Sequence, residues 1–255
     1  MHTNDDGQYA HAVSALADRA YETAGDHYTR AAWSVLATPR DDRDPFAPDD
    51  RGSVGDGLRH LLAGTLCYRV AGVDSRASRR GVEGISVAND LADTMATPVQ
   101  AACFTEFVAD FRAAAGLDDV AAAYTTAADA YRAAVDDSTQ PQAVATTPLF
   151  EAAAEPATQL ARSLDNGEIA IEWGDLHGPD PAAPGDFLAH RAAFKRQRFE
   201  SLVDGCVAEG FLDAPRGTTE YATDHHRCPD CDSRDVNWVA ESVLCLRCSR
   251  PTAPQ

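Results

Sequence analysis

The sequence predicts a mainly α protein, an array of helical hairpins followed by a small C-terminal β element built around metal ligands. Three observations carry this. Apolar residues recur at three- and four-residue spacing from Tyr9 to Val135, the period of a helix with one buried face. Ala-Gly pairs punctuate that stretch at Ala24-Gly25, Ala71-Gly72 and Ala115-Gly116. Near the C-terminus, Cys228-Pro229-Asp230-Cys231 and Cys245-Leu246-Arg247-Cys248 bracket a short β-prone run.

The first stripe is Tyr9, Ala12, Val13, Leu16 and Ala20, and Tyr28, Ala31, Ala32, Val35 and Leu36 make the second. Ala24-Gly25 is expected to turn between them, and Pro39 to stop the pair. Residues 38–57 are rich in Asp, Pro and Gly and read as a long loop. Its acidic run, Asp41, Asp42 and Asp44, lacks the Gly and the closing Glu of a calcium loop and reads as solvated. A second hairpin runs through Leu58, Leu61, Leu62, Leu66 and Val70, turns at Ala71-Gly72, and continues through Val82, Ile85 and Leu91. A third opens at Thr97-Pro98, a cap followed by proline at the first helical position. It carries Val99, Cys103, Phe107 and Phe111, turns at Ala115-Gly116, and returns from Val120 to Val135. Thr146-Thr147-Pro148 opens a further helix, Leu149 to Leu164, expected to cap the stack.

An aromatic, a turn glycine and a packing alanine recur in these hairpins: Tyr21 with Gly25 and Ala31, Tyr68 with Gly72 and Ala77, Phe111 with Gly116 and Ala121. The pattern resembles tetratricopeptide repeats, with units longer than the standard ~34 residues. An ordinary helical bundle in which glycine ends helices accounts for the same residues. The resemblance implies an open stack with a concave face that binds a protein partner. On that surface Arg69, Arg79 and Arg80 are the candidate partner-facing residues, because arginine is enriched at interface hot spots.

Glu168-Ile169-Ala170-Ile171-Glu172-Trp173 alternates and predicts a short strand, and the proline-rich 178–185 stretch a loop. Residues 186–199 then concentrate Arg191, Lys195, Arg196 and Arg198 beside Phe187, Leu188, Phe194 and Phe199. Two readings stand for this helix: a face for an anionic partner, with Lys195, Arg196 and Arg198 as candidates, or pairing with the protein's own carboxylates. Gly210 closes it, and the Thr218-Thr219-Glu220-Tyr221 run after it admits part of a winged helix-turn-helix.

Each Cys-x-x-Cys can point two sulfurs at one centre, and two such knuckles supply the four thiolates that a structural Zn²⁺ takes. Val236, Trp238 and Val239, then Val243 and Leu244, read as a hairpin with one knuckle at each end. This resembles a zinc ribbon, which implies Zn²⁺ held by Cys228, Cys231, Cys245 and Cys248. His225 and His226 precede the ribbon and read as surface or supporting groups. Cys67, Cys103 and Cys206 lie on helical stripes and read as small buried apolar residues. The organisation expected is a helical domain over 1–165, an α+β connection over 166–223 and the ribbon over 224–255.

Asp and Glu outnumber Lys and Arg by 40 to 22, for a formal charge of −18, and Lys195 is the sole lysine. This balance resembles haloarchaeal proteins, which work in concentrated salt. The polar, acidic start and the lack of any apolar run near ~20 residues predict a soluble, cytoplasmic protein. No phosphate-binding glycine loop, nucleophile elbow or zinc-protease helix is present, and a closed four-thiolate site has no open position for catalysis. The expectation is therefore a zinc-binding adaptor rather than an enzyme. The alternative is a nucleic-acid-associated regulator using the ribbon and the 187–199 helix. From His225 to Gln255 four arginines stand against four Asp or Glu, with no basic excess for phosphates.

Carboxylate repulsion should weaken the compact state in dilute buffer and be screened at molar salt, where the Debye length is ~3 Å. The thermal midpoint should therefore rise from dilute to molar potassium chloride. A flat midpoint would count against this reading of the charge.

Overall fold

A computed structural model describes residues 5–37, 54–94, 97–136 and 138–254. The 41–44 acidic run and most of the expected 38–57 loop lie outside the described residues. The helices are α1 (Asp5–Ala17), α2 (Tyr21–Leu36), α3 (Val54–Val70), α4 (Asp74–Thr94), α5 (Pro98–Ala115) and α6 (Val120–Ala134). They continue with α7 (Pro141–Ala145), α8 (Pro148–Leu164), α9 (Trp173–Leu176) and α10 (Pro184–Glu209). Five short strands follow: β1 (Thr218–Glu220), β2 (His226–Arg227), β3 (Val236–Val239), β4 (Ser242–Cys245) and β5 (Ala253–Pro254). The chain is mainly helical, with a small antiparallel sheet at the C-terminus.

Two of the three expected corners form. Gly72 and Gly116 have φ of +72° and +65°, where a Cβ is penalised. Each is followed by a residue whose N–H returns to the last helical turn: Val73 to the Tyr68 carbonyl and Leu117 to the Arg112 carbonyl, both 2.9 Å. The Thr97 cap also forms, with its N–H donating to Gln100 Oε1 at 2.9 Å. The first corner falls elsewhere. Gly25 is inside α2, and the chain turns at residues 18–20, where Arg19 takes φ 62°. A Cβ on Gly25 would come 2.8 Å from the Tyr68 ring, so this glycine admits α3 close to α2. Tyr21 therefore opens a helix instead of preceding a corner, while Tyr68 and Phe111 do precede theirs.

Successive helices from α1 to α6 pack on one another, but the stack does not stay open. α8 lies on α3 and α5, and α10 lies on α6, α8 and α5. In an open array each hairpin touches only its neighbours. Here the chain's own later helices cover α3 and α5, and Leu58, Leu61, Phe104, Phe107, Phe150 and Phe199 share one core.

That core holds charge. Glu106 and Asp110, four apart on α5, meet Arg191 and Lys195, four apart on α10. Arg191 grips Glu106 through Nε at 2.8 Å and Nη2 at 3.0 Å. Lys195 Nζ lies 2.8 Å from Glu106 Oε1 and 2.6 Å from Asp110 Oδ2. Tyr131 and Tyr124 donate to Glu106 and Asp110 at 2.7 and 2.6 Å, and the Phe150 and Ala153 carbonyls accept from Arg191 and Lys195. Two cations thus balance two carboxylates, and the remaining donors and acceptors find partners, which is what buried charge requires. Arg191 and Lys195 of the 186–199 stretch therefore pair inwardly with the protein's own acids, while Arg196 and Arg198 stay exposed. Lys195 is 0% exposed, which removes it from the partner-facing candidates.

The expected strand over 168–173 is absent. Residues 168–170 are exposed with no strand beside them, and Trp173 starts α9 and stacks on His177 at 3.6 Å. Alternation alone does not make a strand where no edge is available. The Thr218–Glu220 run is not a wing on a helix-turn-helix. It is β1, paired antiparallel with β3 in a sheet ordered β1-β3-β4, so the sheet draws on chain before residue 224.

Burial raises the Asp110 carboxyl, Lys195 pulls it back, Glu106 pushes it up again, and it rests at about 6. Burial also acts to raise Glu106, but Arg191 and Lys195 outweigh it and hold the group at about 2. Lys195→Met should cost about 3–5 kcal/mol in denaturant unfolding, since it strands a buried carboxylate. Without the ammonium, Asp110 rises further. A raised carboxyl contributes stability at low pH and loses it as pH climbs through its folded value, so the deficit should be larger at about pH 8 than at about pH 5. Adding Asp110→Leu should restore part of the loss. A double variant no more stable than the single one would contradict this account.

Candidate metal centre

Both knuckles are built from backbone bonds that close onto a cysteine. The Cys228 N–H donates to the Ser233 carbonyl at 2.9 Å, and the Asp232 N–H returns to the Cys228 carbonyl at 3.0 Å. In the second knuckle the Cys245 N–H donates to the Arg250 carbonyl at 2.7 Å, and the Ser249 N–H returns to the Cys245 carbonyl at 2.9 Å. Asp232 and Ser249 occupy the same place in the two loops and both turn left-handed, with φ 63° and 55°. β3 and β4 bring the loops together through the Val236–Cys245 register.

The result is one cluster in which the four sulfurs lie within 4.8 Å of one another. Cys228 and Cys248 are 3.6 Å apart, Cys231 and Cys245 3.4 Å, and Cys231 and Cys248 3.7 Å. Four thiolates around a tetrahedral Zn²⁺ at about 2.3 Å stand roughly 3.8 Å from each other, whereas a disulfide needs about 2.05 Å. The donor set fits a closed tetrahedral metal site. Crowding divides the thiols: Cys248 is pulled down to about 5 by hydrogen bonds led by that from Cys245, while Cys245 is driven up, mainly by Cys248. His226 stays outside this set. It bonds Thr252 Oγ1 at 3.2 Å and meets the Trp238 ring edge-on at 5.2 Å.

The second knuckle is also where the sheet meets the helices. The hydroxyl of Ser249, next to Cys248, bonds the buried Asp213 carboxylate and accepts the Ala214 N–H at 2.8 Å. Arg250 donates to the Ala17 carbonyl at the end of α1, at 3.2 Å, and pairs with Asp230 on the first knuckle at 2.8 Å. Arg247 pairs with Glu168 and Asp235. Gly167, at φ +79°, has its backbone against the Leu246 carbonyl with no room for a Cβ. The 211–217 link is bonded on both sides: Leu212 N–H to Tyr21 OH at 3.1 Å, Asp213 N–H to Ser163 Oγ at 2.8 Å, and Gly217 N–H to Asn237 Oδ1 at 2.8 Å.

The other candidates are dispersed. Arg69 pairs with Asp74 at 3.0 Å at the α3–α4 corner. Arg80 is largely covered and shares Glu83 with Arg79, whose side chain is 77% exposed. Arg196 and Arg198 point outward, the former 3.3 Å from Thr125 Oγ1. Cys67, Cys103 and Cys206 are buried thiols with no place in the sulfur cluster, and burial raises Cys103 to about 12 and Cys206 to about 11. What sequence reasoning missed is the docking set, Asp213, Ser249 and Gly167. Its one signal in the sequence is Gly167 after Asp165-Asn166, a glycine that would equally serve to end a helix.

No family model matches the chain, and neither the curated proteins nor the solved structures give a match to it.

Gly167→Val should push the second knuckle off the helical body. The Ala214 amide, now held by Ser249, should exchange with solvent at least about tenfold faster, the effect of losing ~1.4 kcal/mol of protection. Unchanged exchange at Ala214 with valine in place would show that this contact does not seat the ribbon.

Proposed function

We propose that this chain is a zinc-binding interaction protein in which a structural Zn²⁺ fixes a ribbon on a closed helical body. The observation that carries the reading is the closed four-sulfur cluster docked through its second knuckle. Four protein thiolates fill a tetrahedral shell and leave zinc no position for water or substrate, so the metal supplies rigidity and not catalysis. Three buried thiols and four metal-ligand cysteines, none in a disulfide among the described residues, fit a reducing compartment such as the cytoplasm, and among the described residues no helix is long and apolar enough to cross a membrane.

The partner in this reading is a protein. The tetratricopeptide-like groove is an unfavourable place for it, because α8 and α10 cover α3 and α5. The ribbon offers more: Trp238 on β3 is 41% exposed and Tyr221, just after β1, is exposed, and aromatic residues anchor protein interfaces. On the helical side, Arg79, Arg196 and Arg198 are the arginines of the candidate set that reach solvent. The nucleic-acid alternative is disfavoured by pairing. Arg227, Arg234, Arg247 and Arg250 each hold a carboxylate of this chain, namely Asp232, Asp224, Asp235 and Asp230. Lys195 and Arg191 are buried. Phosphate contacts would have to displace these pairs one by one.

Elemental analysis of the purified protein should find one zinc per chain, and Cys231→Ser should abolish it while most helical circular dichroism remains. Iron, or no metal, would overturn the zinc reading. Capture of a protein partner from native cytosol should survive nuclease and weaken by more than about 1 kcal/mol with Trp238→Ala. Loss of all capture on nuclease treatment would favour the nucleic-acid reading.

A further inference from the structure

A cleft of about 310 Å³ lies between α8 and the irregular segment that follows it, lined by Glu155, Thr158, Arg162, Ile169, Ile171 and Arg216. Its floor holds an arginine short of acceptors. The Arg162 side chain is only 7% exposed, yet its two contacts are long: the Ala214 carbonyl is 3.4 Å from Nη2 and the Asp213 carboxylate 3.7 Å from Nε. Asp213 is shared with Ser249, and Nη1 has no hydrogen-bond partner among the described residues. The unpaired donors are not sealed in protein but open on the cleft, so an oxygen bound there can accept from them directly.

The surroundings suit an anion with an apolar end. Glu155 is already neutralised by Arg59 at 2.6 Å. Arg216 is held at the rim by the Gly167 carbonyl at 3.2 Å and Tyr221 OH at 2.9 Å, adding positive potential. The opposite wall is Ile169, 64% exposed, and Ile171, half-buried, in a segment that pairs with no strand. Ile171 packs against the core, while Ile169 leaves apolar surface open on the cleft. This wall beside the arginine matches a ligand carrying a carboxylate at one end and a short hydrocarbon chain at the other. The volume sits at the lower end of small-molecule sites, which suits a ligand of a few heavy atoms.

We infer that this cleft binds a small organic monocarboxylate, with Arg162 taking the carboxylate and Ile169 and Ile171 taking a short aliphatic tail. Arginine offers a planar fork of donors to the two carboxylate oxygens, and the isoleucine wall rewards added methylenes. The site goes beyond the metal reading and does not depend on it.

The test is a methyl-NMR titration of the zinc-loaded full chain with acetate and butyrate, against chloride and inorganic phosphate at matched ionic strength. Butyrate should shift the Ile169 and Ile171 methyl signals saturably and more tightly than acetate. Ile169→Asp, at an exposed position that leaves the fold unchanged, should weaken butyrate by about tenfold or more, since it sets a carboxylate against the ligand. Arg162→Gln should abolish the shifts, and if that variant does not fold, Ile169→Asp decides. No saturable shift, equal binding by chloride or phosphate, or no gain from acetate to butyrate would each overturn the assignment. Zinc content is read in the same samples, so failure here stays distinct from failure of the metal centre.

Discussion

The seating of the second knuckle is the constraint on which the C-terminal third depends. Cys245 and Cys248 can face Cys228 and Cys231 only while the 245–250 turn is closed, and that turn carries Ser249 left-handed toward Asp213. Ser249 and Arg250 then reach the α10 exit and the end of α1, while Leu246 presses on Gly167. The second pair of the sulfur cluster and the docking contacts thus share six consecutive residues. The ribbon is continuous with the body's core through Val239 and Leu244 and is not a module on a tether.

The helical body has its own fixed point. Burying two carboxylates and two cations costs several kcal/mol per ion in desolvation, and mutual pairing with added hydrogen bonds only about offsets that. What such a cluster does well is choose one arrangement. α10 can lie on α5 only in the register that sets Arg191 on Glu106 and Lys195 on Asp110. That register puts the 211–217 link at the right place and angle to meet the sheet. It also explains a closed body where an open array was expected, since α10 and α8 occupy the face that a partner would have used.

Much of this was legible in the residues. The two Cys-x-x-Cys pairs announced the sulfur cluster, because the spacing of a knuckle is local. Gly72, Gly116 and the Thr97 cap were legible for the same reason. Gly25 was not: in sequence, a glycine admitting a neighbouring ring looks the same as one ending a helix, and only Tyr68 across α3 distinguishes them. The ion cluster joins residues about 85 positions apart. Its trace was there, in Glu106 and Asp110 four apart among the Phe and Ala residues of α5, but their partners on α10 could not be paired by spacing. The 168–173 alternation misled because no strand lies beside it. The cleft built around Arg162 was invisible too, since it needs α8, the following segment and the 211–217 link at once.

The claim that metal and docking are one structural unit is tested most directly by hydrogen exchange before and after stripping the metal with a chelator. The account predicts that the amides of Cys228, Cys245 and Ser249 lose protection together with Ala214 on the α10 exit, while the α5 and α10 amides around Glu106 and Lys195 keep theirs. Protection at Ala214 that survives complete loss of metal from the ribbon would contradict it.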